Sequence, residues 1–151
     1  MRFSSRTTVL QVAALVAWAI LGPAAAAHAT VKNFMAVLNA GQESAAITSN
    51  SHGVAFLTFD TKTGELCYSI TYTPLDDVEI AAHFHGPASP GESAPALISF
   101  PTVGSPKNGC EASVDKDFAK ALKQGRIYIN IHSALHTAGE IRGQVIPVKG
   151  K

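Results

Sequence analysis

Short stretches of alternating apolar and polar residues, separated by glycine- and proline-rich turns, most constrain the fold of this chain. In the clearest stretch, residues 127–132, isoleucine alternates with Tyr128, Asn130 and His132. Successive side chains of a strand point to opposite faces, so the isoleucines are predicted to face a core and the three polar residues to lie on the other face.

The same reasoning extends over most of the chain. It predicts strands at residues 34–40, 54–59, 66–72, 78–85, 96–100, 126–132 and 140–148. Residues 115–124 differ, because Phe118 and Leu122 are four apart between a candidate N-cap, Asp115, and a candidate C-terminal glycine, Gly125; they predict a helix. The fold class expected is all-β, an antiparallel Greek-key β-sandwich with one short helix.

The first residues read as a targeting segment. Arg2 and Arg6 precede an apolar run at residues 9–21, and Ala27-His28-Ala29 is a small-x-small cleavage sequence. This predicts a signal peptide over residues 1–29 and one exported domain over residues 30–151, in the periplasm or secreted. An uncleaved N-terminal anchor is the alternative.

The charge of the chain limits the classes of binding partner that are expected, and its cysteines bear on the redox compartment. The chain has twelve basic and eleven acidic residues, and residues 1–29 hold two of the basic ones and no acidic one, so the remainder has a net charge of −1. This balance predicts no binding to nucleic acid and, after signal cleavage, none to a membrane. In an oxidising compartment, Cys67 and Cys110 are expected to form a disulfide, with paired thiolate ligands as the alternative.

Three histidines are the candidate functional residues. His83 and His85 are two apart near the end of one predicted strand, and His132 ends another. All three are expected on the outward face of the sheet, where imidazoles suit copper, zinc or iron. His136, in the next loop, is a candidate fourth ligand, and His52 is a weaker one. The alternative is a purely structural hydrogen-bond network of these polar residues.

Five sequence motifs occur in an order that resembles a known family. They are Gly53, Thr-Gly-Glu-Leu-Cys-Tyr at 63–68, His-Phe-His-Gly-Pro-Ala at 83–88, Gly-x-x-Tyr-x-Asn-x-His at 125–132 and Gly-Glu-Ile-Arg-Gly-Gln at 139–144. The chain thus resembles the CHRD (chordin) domain over nearly all of residues 30–151. Residues 43–46 depart from the Glu-Val-Pro-Pro-like loop frequent in that family. The resemblance implies a secreted β-sandwich.

The order of the histidines and a later arginine is also similar to that of Cu/Zn superoxide dismutase, which has an Ig-like Greek-key sandwich. This likeness implies copper as the favoured metal at His83, His85 and His132, and Arg142 as a catalytic residue that attracts superoxide or another small anion. Since the zinc-binding loop of that enzyme is absent, the likeness implies a single metal ion. It is an analogy at the level of the fold.

The expected function is therefore metal handling or superoxide defence by an exported protein. The alternative is a non-catalytic adhesion or protein-binding module with a structural His/Arg network. Exposed edge strands of the sheet would allow a homodimer.

Overall fold

The computed structural model describes residues 31–149, which form one curled antiparallel sheet of eight strands and a short helix. The predicted signal peptide lies outside the described residues. The strands are β1 (Val31–Asn39), β2 (His52–Asp60), β3 (Leu66–Tyr72), β4 (Glu79–His85), β5 (Ala96–Ser99), β6 (Lys107–Glu111), β7 (Ile127–Ser133) and β8 (Ile141–Pro147); the helix α1 is Lys116–Lys123. No helix of this part of the chain is long and apolar enough to cross a membrane.

The strand order is β5-β4-β7-β8-β1-β2-β3-β6, with β5 and β6 at the edges. β1, β2 and β3 are consecutive neighbours, whereas the β3–β4, β5–β6 and β6–β7 connections each cross from one half of the sheet to the other. The sheet curls so that the halves enclose one core. Tyr68 of β3 meets Phe84 of β4, with ring centroids 5.9 Å apart. The predicted all-β Greek-key sandwich with one short helix is confirmed.

The core side chains lie where the alternation of apolar and polar residues predicts them. Ile127, Ile129 and Ile131 of β7 are fully buried. The helix begins after Asp115, whose carboxylate accepts a hydrogen bond from the backbone N–H of Phe118 at 2.7 Å. It ends before Gly125, which has a left-handed φ of +69° that glycine adopts without strain. Phe118 and Leu122 are buried against the sheet, as predicted.

Strand β6 is not among the strands that the sequence predicts. Its sequence, Lys-Asn-Gly-Cys-Glu, has no apolar alternation. It pairs with β3, and Cys110 lies directly opposite Cys67. The expected disulfide joins these two cysteines and links an edge strand to its neighbour.

The two halves of the sheet are also linked by a buried ion pair. The Nζ of Lys107 on β6 lies 2.6 Å from the Oε1 of Glu79 on β4. Lys107 also donates a hydrogen bond to the carbonyl of Thr102 at 2.6 Å. Glu79 accepts hydrogen bonds from the Tyr72 hydroxyl and from the backbone N–H of Gly104. Burial and the Glu79 carboxylate raise the pKa of Tyr72, so its phenol keeps the proton that it donates.

Candidate metal centre

The antiparallel pairing of β4 and β7 brings three histidine rings together. In the register, His83 lies opposite Asn130 and His132 lies opposite Ala81. The ring centroid of His83 is 5.3 Å from that of His85 and 5.1 Å from that of His132. The rings of His85 and His132 are 5.8 Å apart, and one ligand nitrogen from each of the three histidines lies within 4.8 Å of the others. These three residues are the histidine cluster.

Backbone carbonyls fix which nitrogen two of the rings present to the cluster. The Nδ1 of His85 is 2.9 Å from the carbonyl oxygen of Ala94, and the Nδ1 of His132 is 3.0 Å from that of Thr137. A carbonyl only accepts, so each Nδ1 carries the proton and each Nε2 is left with a free lone pair. Metal-binding histidines commonly have their second nitrogen held in this way.

The remaining contacts within the cluster leave one nitrogen unsatisfied. The Nδ1 of His83 is 3.3 Å from the Nε2 of His132, and since the latter is an acceptor, His83 donates. The Nε2 of His85 is buried and has no hydrogen-bond partner among the described residues. A buried polar atom without a partner costs free energy, which a bound ligand would recover.

The histidines lie on the outward face of the sheet, as expected, but this face is covered rather than open to solvent. The strand alternation is as predicted, but His85 is only 9% exposed and His132 8%, while His83 is half-buried. Loops fold over this face of the sheet. Loop residue Ala94 contacts His85, Thr137 contacts His132, and Ser93 donates a hydrogen bond to Ser44 of a third loop at 3.0 Å.

Arg142 lies in the same buried layer, behind an aromatic ring. Its guanidinium carbon is 3.5 Å from the centroid of the Tyr128 ring. His85 stacks on Tyr128 with centroids 4.9 Å apart and planes 11° apart. Because β4 and β8 flank β7, the phenol ring lies between the imidazole and the guanidinium. Arg142 is only 2% exposed, and its Nη2 has no hydrogen-bond partner within residues 31–149.

The other two predicted histidines lie elsewhere. The Nε2 of His136 is 3.5 Å from a carboxylate oxygen of Asp76, and His136 is not one of the three residues of the histidine cluster. His52 is exposed at the start of β2, where its Nδ1 contacts the carbonyl of Asn50 at 3.1 Å.

Next to Arg142, the loops enclose a carboxyl group with a perturbed pKa. Burial raises the pKa of Glu43 to about 7, although the positive charge of Arg142 acts in the opposite direction. The backbone of Gly139 passes close to this carboxyl. A Cβ added to Gly139 would lie 2.7 Å from the Oε1 of Glu43 and would collide with the side chain of Asn130. Gly139 also has a φ of +135°, so this close approach requires glycine.

Glu140 holds the covering loops to the sheet, a role that the sequence analysis missed. This fully buried carboxylate accepts hydrogen bonds from the hydroxyls of Ser49 and Ser51 at 2.8 and 2.9 Å and from the backbone N–H of Asp76 at 2.8 Å. Burial alone would raise the pKa of Glu140, but these bonds and one from Ser133 outweigh it and lower the pKa. In the sequence, the feature that could have indicated this role of Glu140 is its position between Gly139 and an apolar strand.

Acid is expected to destabilise the metal-free protein through the cluster. Burial lowers the pKa of both His85 and His132, although the carbonyls of Ala94 and Thr137 oppose the shift. The unfolded chain then binds more protons than the native state, so the contribution of these histidines is present above the unfolded pKa of about 6.5 and is lost as the pH falls below it. Denaturant unfolding should show a decrease in stability from about pH 7.5 to about pH 5.

The variant His85→Gln isolates this effect from that of Glu43. The pKa of Glu43 is raised, so its own contribution has the opposite sign and is lost as the pH rises through about 7. His85→Gln leaves Glu43 in place and should make the acid-side decrease shallower. An identical pH dependence in the variant and the wild-type protein would contradict the assignment to His85.

Comparison with known proteins identifies the family. A model of the CHRD domain matches residues 34–145. No curated protein and no solved structure matches the chain, so the likeness to Cu/Zn superoxide dismutase has no support from these comparisons. CHRD domains occur in extracellular or secreted proteins. The family match covers most of the chain and includes residues of all eight strands. This protein therefore belongs to the CHRD domain family.

Proposed function

We propose that this protein is an extracellular module that binds one transition-metal ion, with copper favoured, through His83, His85 and His132. The observation that carries the proposal is the buried Nε2 of His85, which has no hydrogen-bond partner among the described residues, in a cluster where each of the three histidines offers a nitrogen within 4.8 Å of the others. The carbonyls that hold both Nδ1 atoms orient these rings for a ligand.

The donor set fits a metal of this class. The lowered pKa values of His85 and His132 keep both imidazoles neutral at pH 7, which is the form that binds metal. Nitrogens bound to one ion at about 2.1 Å lie at most about 4.2 Å apart, so small side-chain adjustments suffice from the present spacing. Imidazole suits copper, zinc and iron, and divalent copper binds most tightly in the general affinity order. A copper ion with an open coordination position would supply one-electron redox chemistry.

Metal handling is the role that we favour over superoxide defence. Arg142 is nearly inaccessible, and the ring of Tyr128 separates it from His85. A guanidinium in this position holds the aromatic layer together rather than facing an incoming anion. His136 has an acidic partner of its own in Asp76, so three histidines form the proposed ligand set.

A structural network is the second candidate, and one contact favours it. The hydrogen bond from His83 to His132 ties β4 to β7 without any metal. In that case the domain would be an adhesion or protein-binding module, and the cluster would serve only to fasten the strands and the loops above them.

Metal loading separates the two candidates. The purified protein is stripped with a chelator, incubated separately with copper, zinc and iron, desalted and analysed by elemental mass spectrometry. We expect one copper ion per chain, retained in competition with zinc. A stoichiometric metal without superoxide turnover would support metal handling. The absence of stoichiometric binding of all three metals would refute the metal site and support the structural network.

A further inference from the structure

A small cavity lies between β8 and two of the loops that cover the polar face of the sheet. It is lined by Arg142 and Gln144 of β8, by residues 41–43 of one loop, and by Pro90 and Gly91 of the other. Its volume is about 220 Å³, enough for about seven water molecules at about 30 Å³ each. None of the described residues that line it is a histidine, so this cavity is separate from the histidine cluster.

Three of the side chains that line the cavity each have a buried polar atom without a partner. These atoms are the Nη2 of Arg142, the Oε1 of Gln144 and the Oε1 of Glu43, and none of them has a hydrogen bond within residues 31–149. Buried polar atoms are rarely left in this state, because each one costs free energy. Three of them around one space indicate a site for a polar ligand.

The contacts of β8 determine which of these atoms donate and which accept. The Nε2 of Gln144 donates hydrogen bonds to the carbonyls of Ala88 and Gly125 at 3.0 and 2.8 Å, so its Oε1 is an acceptor. The guanidinium of Arg142 can only donate. Its contact with the ring of Tyr128 uses the flat side of the guanidinium, whereas its N–H groups lie in the plane and can still form hydrogen bonds.

Glu43 and Arg142 line the same cavity without pairing. The ion pairs among the described residues do not include one between these two side chains, although their charges are opposite. Burial raises the pKa of Glu43 to about 7, so at about pH 8 most of the carboxyl is ionised and accepts hydrogen bonds. The cavity therefore offers one cationic donor, Arg142, and two acceptor oxygens, those of Glu43 and Gln144.

A primary carboxamide has the groups that match this set of atoms. Its carbonyl oxygen accepts from Arg142, and its two N–H groups donate to Glu43 and Gln144. A carboxylate only accepts, so it would leave the oxygen of Gln144 without a donor and would be repelled by Glu43. An ammonium group has no acceptor and would be repelled by Arg142. We infer that this cavity is a binding site for a small primary amide, held between Arg142 on one side and Glu43 and Gln144 on the other.

The loops leave an entrance for a ligand of this size. Gly41 and Gly91 both line the cavity and are exposed. A Cβ added to Gly91 would meet nothing within 4 Å, so the space beside this residue is open. Pro90 adds apolar surface for the alkyl end of the amide. The site does not require the metal centre, because the ring of Tyr128 separates Arg142 from that cluster.

Titration of the ¹⁵N-labelled, chelator-treated protein with acetamide at about pH 8, followed by NMR, tests the site. We expect saturable shifts of the backbone N–H signals of Glu43, Gly91 and Gln144, with a dissociation constant in the millimolar range. Acetate has no N–H group and carries a negative charge, whereas N,N-dimethylacetamide keeps the carbonyl and lacks only the N–H groups. Each should bind at least about 10-fold more weakly than acetamide, because the hydrogen bonds to Glu43 and Gln144 are lost.

A pair of variants assigns the effect to Glu43. Glu43→Ala removes one acceptor and should weaken acetamide binding by at least about 10-fold. Glu65→Ala removes an exposed glutamate just before β3, away from the cavity, and should leave binding unchanged. Both variants should unfold at the wild-type temperature, and if Glu43→Ala does not fold, the three ligands compared on the wild-type protein still decide the question. No saturable shift with acetamide, acetate bound as tightly as acetamide, or equal weakening by the two variants would each overturn the proposal.

Discussion

Replacing His85 with alanine is expected to lower the affinity of the protein for copper by at least about 100-fold. Loss of a residue that only supports a metal ligand already lowers metal affinity by about 10- to 100-fold, and His85 is proposed as a ligand itself. The variant removes the buried Nε2 that has no other partner in residues 31–149. Competition titration against a chromophoric chelator measures the affinity. Electron spin-echo spectroscopy of the copper(II) form should show the loss of one imidazole.

The chain offers a matched control for this experiment. His52→Ala also removes one imidazole, but from an exposed position at the start of β2. It should leave copper affinity and stoichiometry unchanged. His85→Gln keeps a polar side chain at this position and should fold normally while still losing affinity. Wild-type affinity in a folded His85→Gln protein would show that His85 is not a ligand.

Replacing Lys107 with methionine is expected to destabilise the fold by about 3–5 kcal/mol, the usual result of removing one partner from a buried ion pair. Lys107 is only 1% exposed and neutralises Glu79, which remains buried in the variant. The loss also removes the hydrogen bond to Thr102 and a link between the two halves of the sheet. Chemical denaturation monitored by circular dichroism gives the change in the free energy of unfolding.

Two further variants make this prediction specific. Lys123→Met changes an exposed lysine at the end of the helix and should alter stability by less than about 0.5 kcal/mol. The double variant Lys107→Met/Glu79→Gln should recover part of the lost stability, since the uncompensated charge is gone. Equal stability of Lys107→Met and wild type would mean that the ion pair contributes nothing to the fold.

Strand alternation was sufficient to predict which side chains of β7 face the core and which histidines share a face. The three isoleucines and His132 are where the alternation predicts them. Alternation could not reveal that loops would cover the polar side, because covering depends on distant contacts such as Ser93 with Ser44 and Ser49 with Glu140. Alternation therefore predicts the grouping of the three histidines on one face, and it does not predict how far the loops bury them.

The sequence does not predict strand β6 or the ion pair of Lys107 and Glu79, and the physical reason is similar in the two cases. β6 has no apolar face of its own, and it is held by pairing with β3 and by the disulfide. The predicted disulfide could have indicated it, because Cys67 lies in a predicted strand and its partner must come beside that strand. A buried lysine such as Lys107 looks like any surface lysine in a sequence, and only the position of Glu79 in space explains it.

The unequal burial of the three histidines has a kinetic consequence. His85 and His132 lie beneath the loops, with their rings held by Ala94 and Thr137, whereas His83 is half-buried. A ligand that arrives from solvent therefore meets His83 first and the two fixed rings afterwards. In the proposed metal centre, the buried pair would set how tightly an ion is held, and His83 would set how quickly it is exchanged.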